Sequence, residues 1–219
     1  MKPSLSIVCY DTIHPEKSLL ALQKAVEATR PEKVFWFSDK PLDVELSVPV
    51  VWTEIPTISK ETFHRDTGRL YFEVIPSVVD TDFAMYVQSD GFPVNPEVWT
   101  DEFFDYDYVG APWPFYDDGI GAVGNGGFSL RSRKFHEAVL KLKVAPSVYS
   151  ILPEDTLLCR TYKREMEELG IQYAPVGLAM QFSMELPFED ERDVWIGCSF
   201  GFHGRFLCHH YGYTYDDLI

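Results

Sequence analysis

At 219 residues the chain has the length of one large α/β domain. Apolar residues make up 46% and charged residues 24%, the balance of a globular protein with a sizeable core, which excludes disorder, collagen and coiled coil as the main state. Its 34 acidic and 19 basic side chains give a net charge of −15, a field that repels nucleic acid and anionic membranes, so an anionic ligand needs a local device such as a metal ion, a helix N-terminus or a few arginines.

The chain opens on a βαβ pattern. Leu5 to Tyr10 is a nearly continuous apolar run, as expected of a strand buried on both faces. Pro15 suits a first helical turn. Leu19, Leu22 and Val26, with Ala21 and Ala25, then form an apolar stripe at helical spacing that Pro31 ends. Val34 to Phe37 reads as a second strand, closed by Ser38-Asp39, and Val48 to Trp52 as a third. Leu70, Val74 and Val78, with Tyr71 and Ile75, predict an amphipathic helix bent at Pro76.

Phe83 to Val87 is another buried strand and runs into Gln88-Ser89-Asp90-Gly91. Asn95-Pro96 predicts the cap and first turn of a short helix, and Tyr106 to Val109 a strand. Residues 110–127 hold six glycines and two prolines, the composition of a loop with special backbone demands. Phe128 to Leu130 reads as a strand, and Ser132 as the cap of a helix with Phe135, Ala138, Val139 and Leu142 inward. Glu154-Asp155 opens a further helix with Leu158, Tyr162, Met166 and Leu169 on one face. The tail from residue 187 is acidic and aromatic and predicts no clear element. With no internal repeat and no linker, the expectation is a single domain over 1–219.

Alternating strands and helices predict a Rossmann-like, mainly parallel central sheet with helices on both faces. Ligands of such sheets bind at the carboxyl ends of the strands, which places Asp11, Asp39 and Asp90 on the functional edge. No run approaches the ~18 apolar residues of a membrane span. The start, Met1-Lys2-Pro3-Ser4 and a short apolar run, is too brief for a signal peptide. A cytoplasmic protein is therefore expected, with Cys9, Cys159, Cys198 and Cys208 all reduced. A zinc site from Cys198 and Cys208 with His203 or His209 has a spacing that matches no common ligand pattern.

Four constellations carry candidate chemistry. Asp90, directly after a buried strand, has a fixed backbone and suits a divalent metal bridging phosphates, because Mg²⁺ and Mn²⁺ prefer hard oxygen ligands. The alternative is a turn aspartate before a glycine. In Gly124-Asn125-Gly126-Gly127-Phe128-Ser129-Leu130-Arg131-Ser132-Arg133, the glycines allow positive φ and close approach to a ligand, and Arg131 and Arg133 add cations. The pattern is neither GxGxxG nor a Walker loop, and a plain turn before a strand is the alternative. Glu154-Asp155 supplies either a general base for an acceptor hydroxyl or ordinary first-turn acids. His203, between small residues in a late loop, is a metal ligand or a hydrogen-bonded structural histidine.

Taken in order, YVQSDGFPVNPEVW, FFDYDYVGAPW, GNGGFSLRSR, PEDTLLCR, QFSMELPF and GFHG resemble an uncharacterised glycosyltransferase-like family of the DUF5672 type. The resemblance runs from about residue 5 to residue 205, and the GNGGFSLR loop is its most specific motif. That family is similar to GT-A glycosyltransferases, which move a sugar from a nucleotide-sugar, usually with Mn²⁺ or Mg²⁺. The resemblance implies a hexosyltransferase with a nucleotide-sugar donor, most readily a UDP-sugar, and an inverting transfer to a hydroxyl acceptor. It implies Asp90, with Ser89 beside it, at the donor diphosphate and its metal; His203 completing the metal shell; Gly126 and Gly127 lining the donor sugar, with Arg131 near them; and Asp39 near the base or ribose. Asp155 becomes the acceptor-side base, with Glu154 next to it. Here Gln88-Ser89-Asp90 stands where a full DxD would place a second acid. A non-catalytic nucleotide- or carbohydrate-binding module on the same fold is the alternative. Trp99 and Trp113 are candidates for stacking on sugar or for the core. The acceptor is a glycan or another hydroxyl compound. A hydroxylated DNA base is disfavoured by the −15 charge, although Arg131, Arg133, Lys134, Lys141 and Lys143 offer a local basic face.

Overall fold

A computed structural model describes residues 2–113, 123–185 and 198–213. The elements run in chain order as β1 (Leu5–Tyr10), α1 (Pro15–Thr29), β2 (Lys33–Ser38), β3 (Val50–Glu54), α2 (Phe63–Arg69), α3 (Ile75–Val78), β4 (Phe83–Val87), β5 (Gly91–Pro93), β6 (Tyr108–Val109), β7 (Ala111–Pro112), β8 (Val123–Gly124) and β9 (Ser129–Ser132). Then follow α4 (Arg133–Leu142), α5 (Pro146–Tyr149), α6 (Glu154–Thr156), α7 (Lys163–Glu168), α8 (Val176–Phe182), β10 (Ser183–Met184), β11 (Gly201–His203) and α9 (Arg205–His210).

The main sheet has the order β3-β2-β1-β4-β9-β6. Strands β3, β2, β1 and β4 are parallel, whereas β9 runs antiparallel to both β4 and β6. The fold is therefore α/β with a mainly parallel central sheet, as the alternating pattern predicts. Period-2 alternation splits the core between the two faces. Ile7, Cys9, Val34, Trp36 and Met85 pack with α1 on one face. Val8, Phe35, Phe37 and Ala84 pack on the other with Phe135, Val139, Leu157 and Leu158.

Local chemistry sets several boundaries. Pro15 opens α1, and Arg30 closes it in the left-handed conformation just before Pro31. Ser132 caps α4 by accepting the Phe135 N–H at 3.0 Å, a bond worth about 1 kcal/mol. The predicted helix around Leu70 is instead three pieces: α2, a π-helical turn Leu70–Val74, and α3 with Pro76 in its first turn. The helix opened by Glu154 is likewise interrupted by a π-helical turn at Leu157–Thr161. Asn95 does not cap the short 3₁₀ turn Pro96–Val98; its side-chain amide donates to the Ser199 carbonyl. Trp99 is partly buried and packs edge-on against Phe103, Phe104 and Phe200 at the rim of the core, away from the cavity described below. Part of the glycine-rich loop and most of the acidic tail lie outside the described residues. Among the described residues, no helix is long and apolar enough to cross a membrane.

Candidate active site

Two short strands assemble the site. Strand β5 follows Asp90, and β11 ends at His203; they pair antiparallel with Gly91 opposite His203. The Gly204 N–H donates to the Asp90 carbonyl at 2.7 Å, so the two loops are tied backbone to backbone. Gly91 has to be glycine because a Cβ there would lie 2.8 Å from the His203 ring. The consequence is that His203 Nε2 stands 3.7 Å from Asp90 Oδ1 and 3.2 Å from Gln88 Oε1. A cavity of about 600 Å³ opens here, past the carboxyl ends of β1 and β4, lined among others by Asp11, Ser89, Asp90, His203 and Arg205.

The glycine loop seats against the same group. Asn125 carries the positive φ, 79°, and Gly126 and Gly127 do not. Asn125 Oδ1 accepts the N–H groups of Gly127 and Phe128, which folds the loop back on itself. The two glycines are required by close approach instead: a Cβ at Gly126 would fall 2.4 Å from the Glu154 carboxylate, and one at Gly127 2.0 Å from His203 Nε2. The loop is thus clamped between Glu154 and His203.

Glu154 and Asp155 face different surroundings. Glu154 forms a 2.6 Å ion pair with Arg131, whose guanidinium is 2% exposed and also donates to the Gly126 carbonyl. Tyr86, Tyr71 and Tyr108 surround that guanidinium, with its centre 4.0 Å from the Tyr86 ring. Burial pushes the Glu154 carboxyl up, to about 7, against the pull of Arg131. Asp155 keeps partial exposure while accepting the N–H groups of Gly126 at 3.1 Å and Thr156 at 2.6 Å. Burial, then the nearby Glu185 charge, raises its pKa. For His203, burial alone would lower the pKa; the hydrogen bond to Glu185 and the charge of Asp90 outweigh it and hold the imidazole at about 9.

Of the expected site residues, Ser89, Asp90, Gly126, Gly127, Glu154, Asp155 and His203 come together at one edge of the sheet. Asp39 does not line the cavity; its carboxylate accepts from Ser38 at 3.3 Å and from Thr57 at 3.0 Å. Arg131 lies behind the loop, not in the cavity, so it acts on the site through Gly126 and Glu154. Being buried, it also drops out of any basic surface, while Lys134 pairs with Asp107 at 3.1 Å. Trp113 is buried and donates its indole N–H to Glu185 at 2.9 Å. Sequence reasoning missed Tyr10 as part of this cluster, and it placed Gln88 only as the residue in the position of a missing acid, not as a partner of His203. Glu185, the acid of the QFSMELPF segment, left a signal.

The residues suit a divalent cation in part. Asp90 Oδ1, His203 Nε2 and Gln88 Oε1 form a converging oxygen and nitrogen set of the kind Mn²⁺ accepts. Among the described residues, no group of three or more His, Cys, Asp or Glu is placed to hold a metal ion. Any such ion would need further ligands from a bound diphosphate.

The clamp makes the loop sensitive to bulk. Gly126→Val is expected to destabilise the fold by roughly 3 kcal/mol, since the new side chain must displace a carboxylate from its buried ion pair. Urea denaturation measures this, and an unchanged midpoint would show that the loop has room to give.

The mainly parallel sheet with helices on both faces is a GT-A-like fold, one that solved glycosyltransferases share. A glycosyltransferase involved in glycosylation of the major capsid of PBCV-1 superposes with a TM-score of 0.54 at 13% identity, over 93% of each chain. The galactosyltransferase LgtC, solved with donor and acceptor sugar analogs, matches at 0.51 and 11% identity, over 91% of this chain and 87% of that one. A mannosyltransferase from Pyrobaculum calidifontis, in complex with GDP-Man and Mn²⁺, matches at 0.53 and 10% identity, over 79% of this chain and 54% of that one. At these identities the likeness is one of fold. No curated protein matches the sequence. Residues 70–203 match the family described as "Protein of unknown function (DUF5672)", and the chain belongs to that family.

Proposed function

We propose that the chain is a hexosyltransferase, a single GT-A-like domain over 1–219 that moves a sugar from a nucleotide-sugar, a UDP-sugar first, to a hydroxyl acceptor with inversion. The observation that carries this reading is that Asp90 and His203 line one cavity, with Gly127 packed against the His203 ring and Asp155 holding the N–H of Gly126 beside it. The neighbours named for a galactosyltransferase and a mannosyltransferase support it by fold. The cavity takes the nucleotide diphosphate against Ser89, Asp90 and Arg205. Asp90 and His203, with Gln88, are the residues that would hold Mn²⁺ or Mg²⁺. A cation there would offset the charge of the departing diphosphate. Asp155 is the base for the acceptor hydroxyl, because Glu154 is committed to Arg131. The acceptor is a glycan or another hydroxyl compound; a DNA base is the weaker choice in so acidic a chain.

The test is thermal shift with UDP, GDP and their sugars, with and without Mn²⁺, followed by donor hydrolysis. Binding without hydrolysis or transfer supports a second reading, a silent nucleotide-binding module. That reading draws on Gln88 standing where a second acid is expected. His203→Ala is expected to weaken Mn²⁺-dependent UDP binding about 10-fold or more, roughly 1.4 kcal/mol, and to leave metal-free binding nearly unchanged. Equal losses in both, by calorimetry, would mark a structural histidine.

A further inference from the structure

Both carboxylate oxygens of Glu185 are engaged. Oε2 accepts the Trp113 indole N–H at 2.9 Å, and Oε1 lies 3.1 Å from Nδ1 of His203. The opposite ring nitrogen, Nε2, faces Gln88 Oε1 at 3.2 Å and Asp90 Oδ1 at 3.7 Å. Gln88 is itself oriented, since its amide donates to the Tyr10 hydroxyl at 3.1 Å and so turns its oxygen to the histidine. The backbone keeps Glu185 in place: β10 and β11 pair in parallel with Met184 beside Phe202, which carries the next residue, Glu185, alongside His203. Trp113 is fixed in turn by Gly124, where a Cβ would strike the indole ring at 2.2 Å.

We propose that Glu185 is a positioning residue that keeps a proton on Nδ1 of His203 and so commits Nε2 to the Gln88–Asp90 side. This rests on the donor-site reading above, in which that side meets the diphosphate and its metal. A carboxylate behind an imidazole fixes the ring's orientation and raises the basicity of its far nitrogen. The pair of donors explains why the residue is an acid. Trp113 and His203 both point an N–H at it, and a carboxylate accepts both. A glutamine has one acceptor oxygen, so its NH₂ would be forced against one of the two N–H groups. Removing the indole N–H removes that conflict, and the glutamine oxygen can then serve His203 alone.

Glu185→Gln therefore harms the site by itself, and Trp113→Phe repairs it. A packing role for Glu185 predicts the reverse, with the losses of the two substitutions adding. The experiment uses ¹⁵N-labelled full-length protein without metal to observe the His203 Nδ1–H and Trp113 Nε1–H resonances. In parallel, Mn²⁺ is titrated calorimetrically in the presence of UDP. Wild type is expected to show an exchange-protected Nδ1–H. Glu185→Gln is expected to lose it and to bind Mn²⁺ 10- to 100-fold more weakly, the usual scale for a carboxylate behind a metal-binding histidine. The Trp113→Phe/Glu185→Gln double variant is expected to regain the resonance and most of the affinity. A wild-type resonance and affinity in Glu185→Gln, or additive losses in the double variant, overturns the proposal. Should Glu185→Gln fail to fold while the double variant folds, the unmatched donor is again the cause, and the proposal stands. Should wild type show no Mn²⁺ binding with UDP, the donor-site reading fails, and the resonances alone decide the role of Glu185.

Discussion

Replacing Asp90 by alanine is expected to abolish sugar transfer and Mn²⁺-dependent nucleotide binding while the fold survives. The residue sits in the turn from β4 to β5, where its carbonyl, not its carboxylate, carries the tie to Gly204 at 2.7 Å. Its side chain is 22% exposed, so alanine empties little core. What disappears is a carboxylate 3.7 Å from His203 at the mouth of the cavity. On the proposed donor-site reading that charge would face a cation on the diphosphate, and its loss is then worth on the order of 10²-fold or more in rate, about 3 kcal/mol of transition-state stabilisation. Initial rates at saturating Mn²⁺, with circular dichroism as the check on folding, test this. Turnover near that of wild type would remove Asp90 from the donor site.

The legible part of this protein was the part governed by local pattern. β1, β2 and β4 are runs of apolar residues long enough to need both faces of a sheet covered, and helix α1 is bracketed by two prolines. Ser132 caps as its residue type predicts. The site was legible only as separate motifs. What joins Asp90 to His203 is the pairing of β5 with β11, two three-residue strands more than a hundred positions apart, and no periodicity marks so short a pair. The glycine loop was legible in kind but not in cause. Positive φ falls on Asn125, whose side-chain oxygen closes its own turn, while Gly126 and Gly127 answer to the bulk of Glu154 and His203.

Arg131 shows why charge alone misleads. In an acidic chain a cation beside a glycine loop reads as a ligand for phosphate. Yet on β9 it points, like Ser129 two residues earlier, into a wall of tyrosines, and the Arg131 Nε donates to the Ser129 hydroxyl at 3.1 Å. Its partner Glu154 then becomes structural, which divides the labour of two adjacent acids. Desolvation is tolerated for this pair because each charge is satisfied; removing either would leave the other buried and unmatched, at a cost of about 3–5 kcal/mol.

That division singles out Asp155, and Asp155→Asn is expected to lower kcat by roughly 10²–10⁴-fold with donor Kd nearly intact. An inverting transfer needs one base to take the acceptor proton while the sugar carbon is attacked from the face opposite the leaving group. From the sequence, a helix-start carboxylate should be held ionised and weakly basic by the dipole. In the structure burial and the charge of Glu185 outweigh the N–H groups of Gly126 and Thr156, so the carboxyl titrates above its ordinary 3.8. The sign matters for the profile. Protonation removes the base, so kcat/KM falls as pH drops through that raised value, and the acid limb should lie above the usual aspartate range. The substituted amide keeps one oxygen, enough for the Gly126 N–H that ties the loop; the contact to the neighbouring Thr156 N–H is lost, and the base is gone. The product should carry the anomeric configuration opposite to the donor, read from the coupling of its anomeric proton by NMR. Retention, or an Asp155→Asn enzyme with normal kcat, would take the base role from Asp155; with Glu154 held by Arg131 and Glu185 by Trp113 and His203, the acceptor proton would then pass to water or to the departing diphosphate.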